Sequence, residues 1–345
     1  MAQLVVKERK RISGHIGQYG TLLAILSLIA VFTVTNDQFL TYANFSDIIK
    51  SVSIVSLLAL GVTFSLIVGG FDLSVGSTAS LATIGAAASL VLHRQELLVA
   101  LLIPLALGIL VALLIPLALG ILVGLLNALV TIKFRLPDLL ATLAIMYVIN
   151  GIQLTYTKGF SIYDNMPIEG GTAPGRFIPS FLFIGQGTIG PIPFVALLML
   201  VFFIGAHLFL TYTRTGREFY YVGSNAEAAR RSGIAVNRIK LYAYVLSGLF
   251  AAIGGIILAS RIGTGQVSAG APLLMDAVAA AYIGYAVFGT GRPNVIGTLI
   301  GAILIGILLN GLTMWDVPYY AQDIVKGTIL IGALGLSYIQ KKQRT

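Results

Sequence analysis

The chain has 345 residues, of which 57% are hydrophobic and only 10% are charged, and its formal net charge is +9. A soluble domain carries about 25% charged residues, so this composition excludes a soluble globular protein. Apolar runs long enough to cross a bilayer recur along the chain, which predicts an all-α polytopic membrane protein. The chain contains no cysteine, which excludes disulfides and thiolate chemistry. Its Lys and Arg residues flank the apolar runs, so the positive charge does not indicate nucleic-acid binding.

The apolar runs predict about ten transmembrane helices. They lie at about 19–35, 48–68, 73–92, 97–132, 138–157, 193–212, 240–259, 274–289, 295–312 and 323–339. No convincing cleavage site follows the first run, so we expect a retained first helix rather than a cleaved signal peptide.

The basic residues predict the orientation of these helices. Most Lys and Arg residues fall in 1–18, 69–72, 133–137, 213–239, 290–294 and 340–345. Because basic loops remain in the cytoplasm, both termini are predicted to be cytoplasmic. We therefore expect a single transmembrane domain over 1–345, with a cytoplasmic N-terminal segment (1–18), a long cytoplasmic loop (213–239) and a short cytoplasmic tail (340–345).

The fourth apolar run contains a duplication, because VALLIPLALGIL occurs at 99–110 and again at 111–122. A straight helix over 97–132 would be about 54 Å long, whereas the hydrocarbon core is about 30 Å thick. Two spans would place the basic loop 214–240 outside. We therefore predict one span, broken at Pro104 or Pro116, with the extra residues in an outer or re-entrant piece. The duplication, natural or introduced, is expected to carry no function, and its two copies should face different neighbours.

The sequence GGFDLSVGS at 69–77 places a carboxylate between two apolar runs. One interpretation is structural, with Asp72 or Ser74 capping the start of the next helix. The other is functional, with a break between two helices that lines the translocation path or its inner gate. Composition alone leaves both open.

The longest cytoplasmic loop reads RTGREFYYVGSNAEAARRSGIAVNRIK at 214–240. Its pattern predicts a short helix over Asn225–Arg231, with Ser224 as cap and Gly233 as stop. Such a helix suits docking to a cytoplasmic partner, although an ordinary solvated basic loop has the same composition.

Polar residues within the apolar runs are few. Asp276 lies in the short run 274–289 and is interpreted either as a cap or as a residue lining the path. Asn127, Asn150, Gln153 and Asn310 either bind a neutral solute or bridge helices. The outer loop 158–192 is rich in Gly and Pro and suits a lid or docking surface.

Motifs of nucleotide or hydrolytic chemistry are absent from the sequence. There is no G-x-x-x-x-G-K-[ST] pattern, and the dipeptide GK does not occur, so no phosphate-binding loop is expected. No pattern of metal ligands, catalytic triad or proton relay is present. The chain is therefore predicted to be neither an enzyme nor a binder of metal or cofactor.

Several ordered motifs resemble those of ribose-type ABC transporter permeases. GGFDLSVGS resembles the GIDLSVGS signature of that family, and GSNAEAARRSGIAVNRIK resembles its cytoplasmic segment that contacts the ATPase. LYAYVLSGLFAAIGGIILASR, MDAVAAAYIG, GTLIGAILIGILLNGLT and VPYYAQDIVKG then follow in the family's order. The resemblance covers about 45–340. At 282–294 the chain reads YIGYAVFGTGRPN in place of the usual Gly-Gly-rich stretch, which suggests a sub-branch.

The resemblance implies a type II-like ABC importer permease in the bacterial inner membrane. It also implies a second permease copy, identical or paired, a cytoplasmic ABC ATPase, a periplasmic binding protein and a sugar-like solute. The expected path and gate residues are Phe71, Asp72, Ser74, Asn150, Asp276 and Asn310. The expected ATPase-coupling residues are Ser224, Asn225, Glu227, Ala228, Arg231 and Gly233. Two alternatives remain, namely an ion-coupled secondary transporter with Asp72 or Asp276 as its ion site, and a branched-chain amino-acid-type ABC permease.

Overall fold

The structure is a computed structural model that describes residues 21–92, 104–286 and 292–342. Thirteen helices lie in these residues: α1 (Thr21–Thr35), α2 (Tyr42–Ile67), α3 (Val75–Ala87), α4 (Pro104–Ala128), α5 (Asp138–Thr157), α6 (Pro179–Gln186), α7 (Phe194–Tyr212), α8 (Arg214–Ser224), α9 (Ala226–Arg231), α10 (Val236–Ile262), α11 (Ala271–Ala286), α12 (Val295–Met314) and α13 (Tyr319–Lys342). Both α3 and α4 continue as a π-helical turn, over Ala88–Leu92 and Leu129–Lys133. Two small hairpins pair β1 (Pro167–Ile168) with β2 (Gly171–Thr172), and β3 (Thr188–Ile189) with β4 (Ile192–Pro193).

Among the described residues, seven helical segments are long and apolar enough to cross a membrane. They are Tyr42–Ile67, Val75–Leu92, Gly108–Lys133, Asp138–Thr157, Phe194–Tyr212, Val236–Ile262 and Val295–Met314. The prediction of an all-α polytopic membrane protein is therefore confirmed. The count of ten spans and the location of the termini remain predictions. The predicted N-terminal segment 1–18, the beginning of the fourth span (97–103), the end of the eighth (287–289) and the last tail residues (343–345) lie outside the described residues.

The long helices run from one end of the bundle to the other. One end, the α8–α9 end, holds α8 and α9, and the turn between α2 and α3 lies beside them. The other end, the hairpin end, holds the two hairpins and α6. The 27-residue α10 connects the two ends, because such a helix is about 40 Å long. Its beginning follows α9, and its last turns bind α6 through Ser260, whose hydroxyl accepts from Gly185 N at 2.7 Å.

The duplicated segment forms one continuous helix within the described residues, because α4 begins at Pro104 and continues through Pro116. The predicted break at Pro116 is therefore wrong, since the helix tolerates that proline among its apolar neighbours. The two copies face different surroundings. A Cβ built on Gly120 would lie 2.6 Å from the Cβ of Ala252 in α10, whereas one on Gly108 would meet only Ile178, at 3.9 Å. The difference in neighbours predicted for the two copies is observed at these glycines.

An aromatic cluster holds α8 onto the transmembrane helices. Phe219 of α8 is fully buried, and its ring lies 6.1 Å from that of Phe64 in α2 and 5.8 Å from that of Phe209 in α7. Phe64 also stacks on Phe250 of α10 at 5.5 Å. Such aromatic pairs stabilise packing beyond the area that they bury, so α8 is a fixed part of the fold.

Candidate functional site

The carboxylate of Asp72 lies fully buried in the turn between α2 and α3, at residues 69–74, which we call the GGFDLS turn. Its Oδ1 accepts from the amide of Ser74 (2.9 Å), the hydroxyl of Ser74 (2.6 Å) and the Nδ2 of Asn127 in α4 (3.2 Å). Its Oδ2 accepts from the hydroxyl of Ser247 in α10, at 2.7 Å. We call Asp72, Ser74, Asn127 and Ser247 the Asp72 network. Three separate parts of the chain therefore meet on one carboxylate.

Of the two caps predicted for α3, Ser74 is wrong, whereas Asp72 does bind a backbone amide at the entry to the helix. Ser74 occupies the cap position of α3, but its side chain accepts no hydrogen bond from the first turn of the helix. Its hydroxyl instead donates to Asp72 and accepts from Asn127 Nδ2 at 2.8 Å. Asp72 binds the amide of Ser74 itself, which is an Asx-type turn. The carboxylate therefore shapes the entry into α3 by fixing Ser74.

The fifth helix also holds this turn. The hydroxyl of Thr142 in α5 accepts from the amide of Leu73 at 3.1 Å and lies 3.2 Å from the carbonyl oxygen of Phe71. The ring of Phe71 lies 6.1 Å from that of Tyr282 in α11. The GGFDLS turn thus contacts α4, α5, α10 and α11, and the predicted residues Phe71, Asp72 and Ser74 lie together in it.

A second buried contact joins α10 to α5 beside the turn. The hydroxyl of Tyr244 donates to Oδ1 of Asp138, the first residue of α5, at 2.6 Å. A Cβ built on Gly70 would lie 2.7 Å from that hydroxyl oxygen, so a side chain at this point of the turn would displace the Tyr244 hydroxyl. Sequence reasoning missed Tyr244 and Ser247, because neither stands out among the small and aromatic residues of α10.

The short helix α9 begins at Ala226, one residue later than predicted, and has a different cap. Ser224 is the last residue of α8, and the side chain of Asn225 accepts from the amide of Ala228 at 2.9 Å. The prediction of Ser224 as cap is therefore wrong, because α8 continues through that residue. Gly233 ends the segment as predicted: its φ is +83°, and the amide of Ile234 donates to the carbonyl of Ala229 at 3.0 Å, which is a Schellman motif.

The outer surface of α9 carries the remaining predicted coupling residues. Glu227, Ala228 and Arg231 are exposed, whereas Ala229 is buried. Glu227 and Arg231 form an exposed ion pair of 3.2 Å one helical turn apart, which contributes little to stability. The exposed charges and the buried Ala229 give α9 one free face and one anchored face.

The α8 helix also lies against the GGFDLS turn and near Arg292. A Cβ on Gly223 would collide with the carbonyl oxygen of Ile67, and one on Gly69 would lie 3.9 Å from that of Gly223. Burial raises the pKa of the Tyr220 hydroxyl in α8, and the positive charge of Arg292 opposes that rise. The backbone of α8 therefore touches the end of α2, and Tyr220 lies within electrostatic range of Arg292.

Asp276 lies elsewhere, in a buried ion pair. Its Oδ1 lies 3.1 Å from Nζ of Lys326 in α13, and the two side chains are 5% and 14% exposed. The capping interpretation of Asp276 is wrong, because α11 begins at Ala271 and the carboxylate lies beyond its first turn. Sequence reasoning missed Lys326 as the partner. A lone lysine at the start of an apolar run indicates a buried ion pair, because charged residues within membrane helices usually pair with one another.

The predicted path residues in the other helices do not join the Asp72 network. Asn310 of α12 exchanges two amide hydrogen bonds with Asn44 of α2, at 2.8 and 3.2 Å, so it bridges helices. Asn150 is half-buried in α5 and makes no hydrogen bond among the described residues. Within 21–92, 104–286 and 292–342, no three His, Asp or Glu side chains are grouped to hold a metal ion.

Comparison with known proteins identifies the family. The family described as "Branched-chain amino acid transport system / permease component" matches residues 44–334. The Ribose import permease protein RbsC of Escherichia coli (strain K12) is 34% identical over 314 residues, covering 91% of each protein. The protein of that name from Bacillus subtilis (strain 168) is 36% identical over 330 residues, covering 95% of each. The Xylose transport system permease protein XylH of Escherichia coli (strain K12) is 31% identical over 373 aligned positions, covering 93% of this chain and 92% of that protein.

No solved structure matches the chain. The match covers most of the chain and includes the GGFDLS turn, α8, α9 and the helices that hold them. The chain therefore belongs to the branched-chain amino acid transport system permease family.

Proposed function

We propose that this chain is the membrane-spanning permease of an ABC importer that translocates a sugar or sugar-like solute across a bacterial inner membrane. The single observation that carries the proposal is the match to sugar permeases over more than nine-tenths of both chains. The solute is delivered by a periplasmic binding protein, and a separate cytoplasmic ABC ATPase drives the cycle. A second permease copy completes the translocation path.

The arrangement of α8 and α9 supports the ATPase partnership. The two helices lie between the spans α7 and α10, and their buried faces are fixed by Phe219 and Ala229. The free face of α9 presents Glu227, Ala228 and Arg231. A helix that is anchored on one face and charged on its exposed face suits docking of the ATPase. Because α8 and α9 are packed onto the transmembrane helices, a displacement of α9 by the ATPase would also displace those helices. Asn225 caps the start of α9 and Gly233 ends the segment, while Ser224 directly precedes the cap.

The GGFDLS turn supports an inner gate. Phe71 lies against Tyr282 of the short helix α11, and Tyr282 stacks on Tyr285 at 5.6 Å. In this proposal, the contact between the turn and α11 opens and closes with the ATPase. Asp72 and Ser74 keep the turn in shape, while Asp276, Asn310 and Asn150 lie along the helices that border the path. No chemical change of the solute is required.

The test is reconstitution in liposomes. The chain is purified with candidate ABC ATPase and binding-protein partners, and uptake of radiolabelled ribose and xylose is measured with ATP inside. We expect uptake that requires ATP, the ATPase and the binding protein. Replacement of Glu227 by Arg should reduce ATPase binding and uptake together, because it places like charges along α9. Uptake by this chain alone, driven by a proton or sodium gradient, would establish the secondary-transporter alternative instead.

A further inference from the structure

The helix that carries Ser247 is the direct continuation of the α9 segment. α9 ends at Arg231 and α10 begins at Val236. Ala229 of α9 and Val236 and Ile239 of α10 are buried in the same hydrophobic core. Because close-packed side chains transmit displacement, a shift of α9 moves the first turns of α10 with it.

The third and fourth turns of α10 hold buried donors on one face. Tyr244 and Ser247 lie one helical turn apart and are both fully buried. Tyr244 binds Asp138 of α5, and Ser247 binds Asp72 of the GGFDLS turn. The backbone of α2 closes over this site, because a Cβ on Gly61 would lie 2.8 Å from the carbonyl oxygen of Ser247. The bond from Ser247 to Asp72 is therefore shielded from water and fixed in direction.

The choice of a carboxylate at position 72 follows from this arrangement. One oxygen of Asp72 accepts from Ser74 and Asn127, and the other accepts from Ser247. An amide offers one acceptor oxygen, and its NH2 group would reach Ser247 only if that hydroxyl reversed from donor to acceptor. A carboxylate holds the start of α3 on one oxygen and α10 on the other without such a reversal.

From the turn, contacts continue along α3 to the start of α11. The hydroxyl of Ser80 in α3 accepts from the amide of Gly270 at 2.8 Å, and Gly270 immediately precedes α11. A Cβ on Gly76 would lie 2.8 Å from the carbonyl oxygen of Gly270. A displacement of α3 is therefore passed to the beginning of α11 without an intervening flexible side chain.

We propose that Ser247 is a positioning residue for transport: its hydrogen bond to Asp72 makes the GGFDLS turn follow α9 when the ATPase closes. The proposal rests on the proposed coupling function of α8 and α9. It gives the buried carboxylate a mechanical role, in which Asp72 joins the helix moved by the ATPase to the helix that borders the gate. Neither an ion nor the solute binds Asp72 in this role.

The absence of cysteine from the chain allows two single-cysteine reporters. Phe71→Cys reports on the turn, and Ser232→Cys reports on the exposed residue that follows α9. Each reporter is placed in the complex with the ABC ATPase, and its rate of maleimide labelling is measured with and without MgATP and vanadate. We expect both rates to change. With Ser247→Ala, the change at position 232 should remain, while the change at position 71 should fall by at least about fivefold, the lower limit of typical coupling between sites.

Three further variants make the test specific. Thr63→Val removes a buried hydroxyl bond of the same kind, from α2 to Thr298 of α12 at 2.7 Å, and should leave both responses intact. Ser247→Thr should retain the response at position 71. Asp72→Ala, which removes both acceptor oxygens, should lose it as Ser247→Ala does, and provides the test if Ser247→Ala fails to fold.

Two results would contradict the positioning role of Ser247, and a third would contradict the proposed function. An unchanged response at position 71 in both Ser247→Ala and Asp72→Ala would overturn the positioning role. Loss of the response at position 232 in Ser247→Ala would also overturn it, because the residue would then affect docking. Failure of the unsubstituted chain to bind any ABC ATPase would refute the proposed function itself.

Discussion

The backbones of Gly120 in α4 and Gly248 in α10 touch, since a Cβ on either would collide with the carbonyl oxygen of the other. Gly108 occupies the same place in the first copy of the duplicated sequence and meets only Ile178. The chain therefore contains two glycines with the same flanking residues and different neighbours. We expect Gly120→Ala to destabilise the fold by about 1–3 kcal/mol through overpacking.

Gly108→Ala is the matched control for Gly120→Ala. Without a close neighbour, the alanine should be neutral or should stabilise the helix by up to about 1 kcal/mol, because glycine is a poor helix former. The measurement is thermal unfolding in detergent, followed by the fluorescence of the single tryptophan, Trp315. Equal shifts of Tm for the two variants would contradict the packing assigned to α4 and α10.

The ion pair between Asp276 and Lys326 should respond to substitution as a unit. Lys326→Met leaves a buried carboxylate without its partner, and breaking a buried pair costs about 3–5 kcal/mol. Adding Asp276→Asn to Lys326→Met removes the isolated charge and should recover most of that loss. Thermal unfolding of the single and double variants gives the coupling energy directly. A double variant as unstable as the sum of the singles would show that the two residues act independently.

Variants of the amide pair between Asn44 and Asn310 test whether Asn310 bridges two helices or contacts the solute in the path. If Asn310 only joins α12 to α2, Asn310→Leu should lower stability by about 0.6–2 kcal/mol. The KM for uptake should then remain unchanged, and the double variant Asn44→Leu/Asn310→Leu should be less destabilised than the sum of the singles. An altered KM with unchanged Tm would instead place Asn310 in contact with the solute.

The cap of α9 should matter for ATPase docking. Asn225→Ala removes the bond to the amide of Ala228 and should destabilise the local helix by about 1 kcal/mol. We expect weaker co-purification of the ATPase at the same level of folded permease. Ser224→Ala is the neighbouring control, because Ser224 is not the cap of α9, and should bind the ATPase normally. The reverse order of effects would restore Ser224 as the functional cap.

Much of the fold could be predicted from local sequence, because apolar runs specify membrane helices and Asn225–Gly233 carries its own start and stop. The Asp72 network could not be predicted in the same way. Ser247 lies 175 positions from Asp72 in the chain, and its contact depends on how α10 rotates and how closely glycine allows the helices to approach. The same applies to Lys326, whose partner is set by the packing of α13 on α11. The local sequence predicts where each helix begins and ends, whereas these contacts depend on how two helices pack against each other.

The buried ion pair has a consequence for biogenesis. α13 is not among the seven segments that are long and apolar enough to cross a membrane alone, and it carries Lys326 near its start. An isolated ammonium group in hydrocarbon opposes insertion. Lys326 also lies 3.5 Å from Asp323 of its own helix, but that carboxylate is exposed. The buried opposite charge comes from Asp276 of α11, which is synthesised before α13. The last helix should therefore integrate only after α11 is in place, so that the order of synthesis becomes part of the information that builds this protein.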